Sequence, residues 1–203
     1  MNQVHKYERR TIMSLKQYRG LDLLIFSLLA AASEFLGAFL LRKLVPGFTL
    51  SFAFLLSVVA IFRWGLPGGI VFVVSGLPLL LLYKDNFLEN LLFYVAGNFF
   101  IFLVPAFVRR PLDGIRDRAL AFNLFILAAF LAVVLGRTLA LAVFGEPFLE
   151  SFRAVAGSLL LTYVASAVLL NLLKKASGLL TDMKTLIEES NTERNYETRS
   201  ENV

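Results

Sequence analysis

GLDLLIFSLLAAASEFLGAFLL, residues 20–41, is the stretch whose reading decides the fold. About twenty apolar residues, each rising 1.5 Å along a helix, cover the roughly 30 Å hydrocarbon core of a bilayer. The stretch is therefore long enough to cross, yet it carries more than an anchor needs. At helical spacing Ser27, Ala30, Ala31, Glu34 and Ala38 fall on one face, a strip of small side chains with a carboxylate among them.

The rest of the 203-residue chain repeats the pattern: 58% of residues are hydrophobic, the mean hydropathy is +0.72, and the apolar residues come in blocks of about twenty. This predicts an all-α polytopic membrane protein, because a helix satisfies its own backbone hydrogen bonds where no water can. The absence of cysteine removes disulfides, thiolate metal sites and thiol redox chemistry. The single histidine, His5, lies in the polar N-terminal segment, so no span supplies an imidazole for a Ser-His protease or a helical zinc site. The net charge of +5 sits in residues flanking apolar blocks, which fits membrane topology better than nucleic acid.

In chain order, residues 1–19 form a basic cytoplasmic segment with Lys6, Arg9, Arg10, Lys16 and Arg19. Residues 20–175 form a bundle of six transmembrane helices, with spans at about 20–41, 48–62, 66–83, 88–108, 119–145 and 152–173. The second span ends at Arg63-Trp64, a pair suited to the headgroup level. The third opens with Pro67-Gly68-Gly69 and contains Gly76 and Pro78, which predicts a kink or a local unwinding packed against protein or a wet cavity. The segment 176–203 starts with Leu179, Leu180, Met183, Leu186 and Ile187 at helical spacing, then turns polar, predicting an amphipathic turn or two and a disordered cytoplasmic end.

Six spans put both termini on one side, and the basic residues indicate which. With the N-terminus inside, the inner segments hold Lys6, Arg9, Arg10, Lys16, Arg19, Arg63, Arg109, Arg110, Arg116, Arg118, Lys174 and Lys175, against Arg42, Lys43, Lys84 and Arg153 outside. That imbalance predicts cytoplasmic termini.

Glu34 and Arg137 are the costly residues, since a charge at mid-span costs about 2.5–3.5 kcal/mol on insertion scales and normally faces the bundle interior or a cavity. Either they pair with each other as a structural bridge, or one or both meet a polar solute. Arg137 falls in the outer half of its span with Glu34 nearer the centre, and Tyr94, Asn98, Ser158 and Thr162 can hydrogen-bond a ligand there or glue helices together. Lys84 lies in the connector KDNFLEN, at the mouth of any outward cavity. No carboxylate pair sits at hydrolase spacing, no glycine-rich phosphate loop opens a helix, and no nucleophile has a base within sequence reach. We expect no catalysis, no metal and no cofactor.

Taken together, the length, six spans, basic lead and small-residue first span resemble the substrate-binding S components of energy-coupling factor (ECF) transporters, over roughly residues 15–175. That family carries an Ala-x-x-x-Ala docking motif in its first span; the matching positions here are Ser27 and Ala31, within FSLLAAAS, with serine in place of the first alanine. The resemblance implies a vitamin-like solute bound from outside in the cell membrane of a bacterium, while the candidate contacts, Arg137, Asn98, Tyr94, Ser158, Thr162, Glu34 and Lys84, are those that the residues themselves suggest. It also implies a membrane coupling subunit docked on Ser27, Ala30 and Ala31, two ATPase subunits in trans, and a toppling motion that releases the cargo inside. Two other readings remain open: a small morphogenesis protein of the rod-shape type without a solute, and a carrier working alone with Glu34 as its titrating group. The carrier reading calls for an internal repeat, and none is evident between residues 20–83 and 88–175.

Overall fold

The computed structural model describes residues 14–41, 50–83, 85–108, 112–175 and 179–187. Among these residues there is no strand, and four helices are long and apolar enough to cross a membrane. The basic residues of segment 1–13, together with Arg42, Lys43, Lys84, Arg109, Arg110 and the charged tail from 188 onward, lie outside the described residues.

The first helix, α1, runs over Leu15–Leu36 and continues as a π-helical turn over Gly37–Leu41. It begins five residues before the apolar stretch, because Ser14 and Gln17 form a reciprocal capping box: the Gln17 N–H donates to Ser14 Oγ at 3.3 Å and the Ser14 N–H to Gln17 Oε1 at 2.9 Å. Ser27 and Ala30, expected to face a partner, face inward instead, at 7% and 0% exposure, while Ala31 is half-buried. The small strip lets α1 approach this chain's own helices. The side it leaves open carries Leu21, Leu24 and Leu28, the last 62% exposed.

The second helix, α2 (Ala53–Trp64), starts later than the sequence suggests and spans only 12 residues, about 18 Å. Ten of those residues are buried. A helix apolar on every side belongs in an interior, and α2 is the hub of the core. Phe62 packs between Phe122 and Phe125, with ring centroids 5.3 and 5.0 Å away.

The third apolar segment, α3 (Leu66–Leu82), has the interruptions that its glycines and prolines predict: a 3₁₀ turn over Leu66–Gly69, helix over Ile70–Ser75, a turn at Gly76, then helix over Leu77–Leu82. The fourth, α4 (Phe87–Phe107), is irregular in its middle, π-helical over Leu92–Ala96 and 3₁₀ over Gly97–Phe102. After a single turn and a half, α5 (Leu112–Asp117), come the two long helices α6 (Ala119–Val143) and α7 (Phe148–Leu173). A last helical turn, residues 183–187, follows Leu180, which is 2% exposed and belongs to the core, so the amphipathic segment packs back onto the bundle.

Cross-helix contacts give the directions. On α1, Asp22 meets Arg63 and Glu34 meets Ser51, so α2 runs antiparallel to α1. Asn123 of α6 pairs with Asn171 of α7, its amide accepting at 2.9 Å, so these two are antiparallel as well. Phe62 at the end of α2 meets Phe122 near the start of α6, which puts the start of α1 and the end of α7 at the same end of the bundle.

Candidate functional site

Toward the opposite end, α1, α3, α4, α6 and α7 enclose a cavity of about 180 Å³. Its position follows from glycines. A Cβ at Gly97 would lie 3.0 Å from the backbone nitrogen and Cα of Arg137, and one at Gly136 would collide with the Gly97 carbonyl and the Phe100 ring. The α4 and α6 backbones therefore cross in near contact, and the residue after Gly136, Arg137, is thrust across α4 into the bundle. At Gly76 a Cβ would strike the Tyr94 carbonyl, so α3 closes on α4 at the same level.

Arg137 is 3% exposed. Its Nε donates to Asn98 Oδ1 at 3.0 Å, and its guanidinium lies 5.6, 5.3 and 5.7 Å from the ring centres of Phe72, Phe93 and Tyr94, a cage of aromatic faces that favours a cation out of water. Asn98 is itself fixed. Its Nδ2 donates at 2.9 Å to the Phe72 carbonyl, which also accepts from Ser75 Oγ at 2.8 Å. The Phe72 carbonyl is free to do so because the helix tightens there, the Gly76 N–H turning to Val73 at 3.2 Å. The break in α3 thus supplies the acceptor that orients Asn98, which orients Arg137.

Arg137 Nη2 is different. Among the described residues it has no hydrogen-bond partner, and its nearest anion, Glu34 Oε1, is 4.0 Å away. That is an ion pair by proximity, longer than the roughly 2.7–2.9 Å of a charge-assisted hydrogen bond. The other carboxylate oxygen of Glu34 accepts from Ser51 Oγ. Ser51 belongs to a cluster that closes the start of α2 inside the bundle: its N–H donates to Thr162 Oγ1 at 3.2 Å, the Phe52 N–H to Ser33 Oγ at 2.8 Å, and the Ala53 N–H to Ser51 Oγ at 3.0 Å. Side chains of α1 and α7 thereby satisfy donors that a helix starting within the bundle leaves over. The carboxylate of Glu34 also sits where the positive end of the α2 dipole favours it.

The sequence candidates separate accordingly. Glu34, Tyr94, Arg137 and Ser158 line the cavity. Asn98 stands behind Arg137 and Thr162 behind Ser51, one step removed from the space itself. Lys84 lies outside the described residues. Three contributors were not evident from the sequence: Ser51, Phe93 and Tyr83, whose ring stacks on Tyr94 with centroids 5.7 Å apart. Tyr83 is held by Asn90, whose Nδ2 donates to the carbonyls of Tyr83 at 3.0 Å and Asp85 at 2.6 Å while Asn86 turns the chain with φ of 56°. Trp64, a possible ring-stacking residue by type, is at the other end of the bundle with Asp22.

Fold and site together define a helical membrane protein with a cavity among its helices, walled by aromatic and aliphatic side chains and lined, among the described residues, by one acid and one base. No family model, no curated protein and no solved structure matches the chain.

Proposed function

We propose that the protein is the membrane-embedded substrate-binding subunit of an ECF-type importer. In this reading it takes a small vitamin-like solute from the outer face of a bacterial cell membrane and delivers it through a coupling subunit driven by two ATPases. The observation that carries the solute-binding part is Arg137, a buried guanidinium that lines the cavity and whose Nη2 has no hydrogen-bond partner among the described residues. A buried polar group left without a partner costs about 1–3 kcal/mol, and more when charged, so an arrangement that only glued helices together would be expected to complete it. The resemblance in the first span supports the coupling part, with Ala31 at the edge of the open leucine face of α1 as the point of contact. The basic residues support cytoplasmic termini for a six-span topology.

The deciding experiment is mass spectrometry of small molecules released on denaturing the purified protein. A stoichiometric organic solute, lost from Arg137→Ala, is the expected result; a preparation that releases none sinks the reading. Sidedness is tested separately: a reporter after Val203 should read cytoplasmic and one within residues 84–90 external. The rod-shape scaffold reading has one observation in its favour, the Glu34–Arg137 proximity at 4.0 Å, and it predicts that Arg137→Ala destabilises the protein with no solute involved.

A further inference from the structure

Resting on the solute-binding reading, we infer that the ligand is a small solute without net charge that presents a hydrogen-bond acceptor beside a donor, as a carboxamide or lactam edge does, the acceptor to Arg137 Nη2 and the donor to Glu34. Three features carry this.

The first is charge. Glu34 and Arg137 are the charged side chains among the described residues that line the cavity, and they cancel. Away from water an added net charge is poorly screened, so an anion gained by Arg137 is opposed by Glu34 and a cation gained by Glu34 by Arg137. A neutral ligand meets neither objection.

The second is the gap. Arg137 Nε is spent on Asn98 and one oxygen of Glu34 on Ser51, leaving Nη2 as a donor and Oε1 as an acceptor 4.0 Å apart. The pair is too far apart to bond directly, yet close enough for one planar group to bond both, and Nη2 has nothing else to bond among the described residues.

The third is shape. A cavity of about 180 Å³ is smaller than the roughly 300 Å³ at which drug-sized sites begin, which suits a single ring. The stacked pair Tyr83–Tyr94, with Phe93 edge-on to Tyr94 at 4.9 Å, offers flat walls to such a ring.

Three probes of one shape test the assignment: benzamide, benzoate and benzamidinium, of charge zero, minus one and plus one, measured by thermal stabilisation of the intact detergent-solubilised protein. Benzamide should act at a concentration roughly tenfold or more below either ion. In Glu34→Gln, which keeps the side-chain shape and an acceptor for Ser51, the site gains a net positive charge and the order should invert in favour of benzoate. Either ion matching benzamide on the unaltered protein overturns the charge assignment and leaves solute binding standing, as does an unchanged order in Glu34→Gln. If none of the three acts on a protein that still releases a small molecule on denaturation, the ligand class alone is wrong. If none acts and nothing is released, the solute reading falls with it.

Discussion

Two acid–arginine pairs tie α1 to the rest of the bundle. Near its start Asp22 takes Arg63 with two hydrogen bonds, 2.8 Å to Nε and 3.2 Å to Nη2, and a third at 2.6 Å from the indole of Trp64, while the guanidinium lies 5.7 Å from the Phe26 ring centre. Near its other end Glu34 and Arg137 approach to 4.0 Å and Nη2 is left over. The same chemical pair is thus complete at one end and held apart at the other, where a cavity opens beside it. The closed pair has the form of a clamp, whereas the open one lines a cavity and leaves Nη2 without a hydrogen-bond partner among the described residues.

The largest expected effect comes from breaking the clamp. Arg63→Ala leaves Asp22, among the described residues, with the indole donor alone, and removing one partner of a buried pair costs about 3–5 kcal/mol; a loss near the lower figure is expected here because both side chains keep some exposure. Thermal unfolding should show the full drop whether or not a solute is present. Arg137→Ala should behave in the opposite sense: the melting temperature of the empty protein stays level or rises, since a buried charge is removed, while solute affinity falls by about a hundredfold, some 2.8 kcal/mol. Destabilisation of the empty protein that Glu34→Gln partly reverses would mean that the two pairs are alike, both structural.

Next comes the crossing that sets the gap. Gly136→Ala puts a methyl into the Gly97 carbonyl and should cost about 1–3 kcal/mol of stability, with a loss of affinity as Arg137 is displaced. Affinity untouched by that change would detach the cavity from the crossing. Smallest is Thr162→Val, which removes the acceptor for the Ser51 N–H at nearly constant volume and should cost about 1 kcal/mol in a melt, with Glu34 less well held.

Much of this architecture could be read from the chain. Block length gave the helical membrane class, and the expense of a charge at mid-span picked out Glu34 and Arg137 without any knowledge of their neighbours. Asp22 carries no such signal, because an acid two residues inside a long apolar stretch has the pattern of an interface residue and its three donors lie 41 and 42 positions away. The inward turn of Ser27 and Ala30 was equally hidden: small residues at helical spacing say that something comes close, not whether it belongs to the same chain. The late start of α2 had a local sign in Ser51, an N-cap type just before an apolar run, but the acceptor from Thr162 had none. Tyr83 reached the chamber through Asn90, a connector amide whose role depends on the left-handed turn at Asn86.

The start of α2 also bears on how the molecule is made. The Ser51 N–H finds its acceptor 111 residues later in the chain, on α7, and the same helix brings Ser158 and Leu159 to the cavity wall. Until α7 arrives, a helix of about 18 Å has no means of crossing a bilayer by itself and begins with that peptide donor bare. A nascent chain arrested before α7 therefore holds α2 in an unfinished state, available to the insertion machinery or to quality-control proteases. The cavity wall is complete only once α7 has packed against the earlier helices.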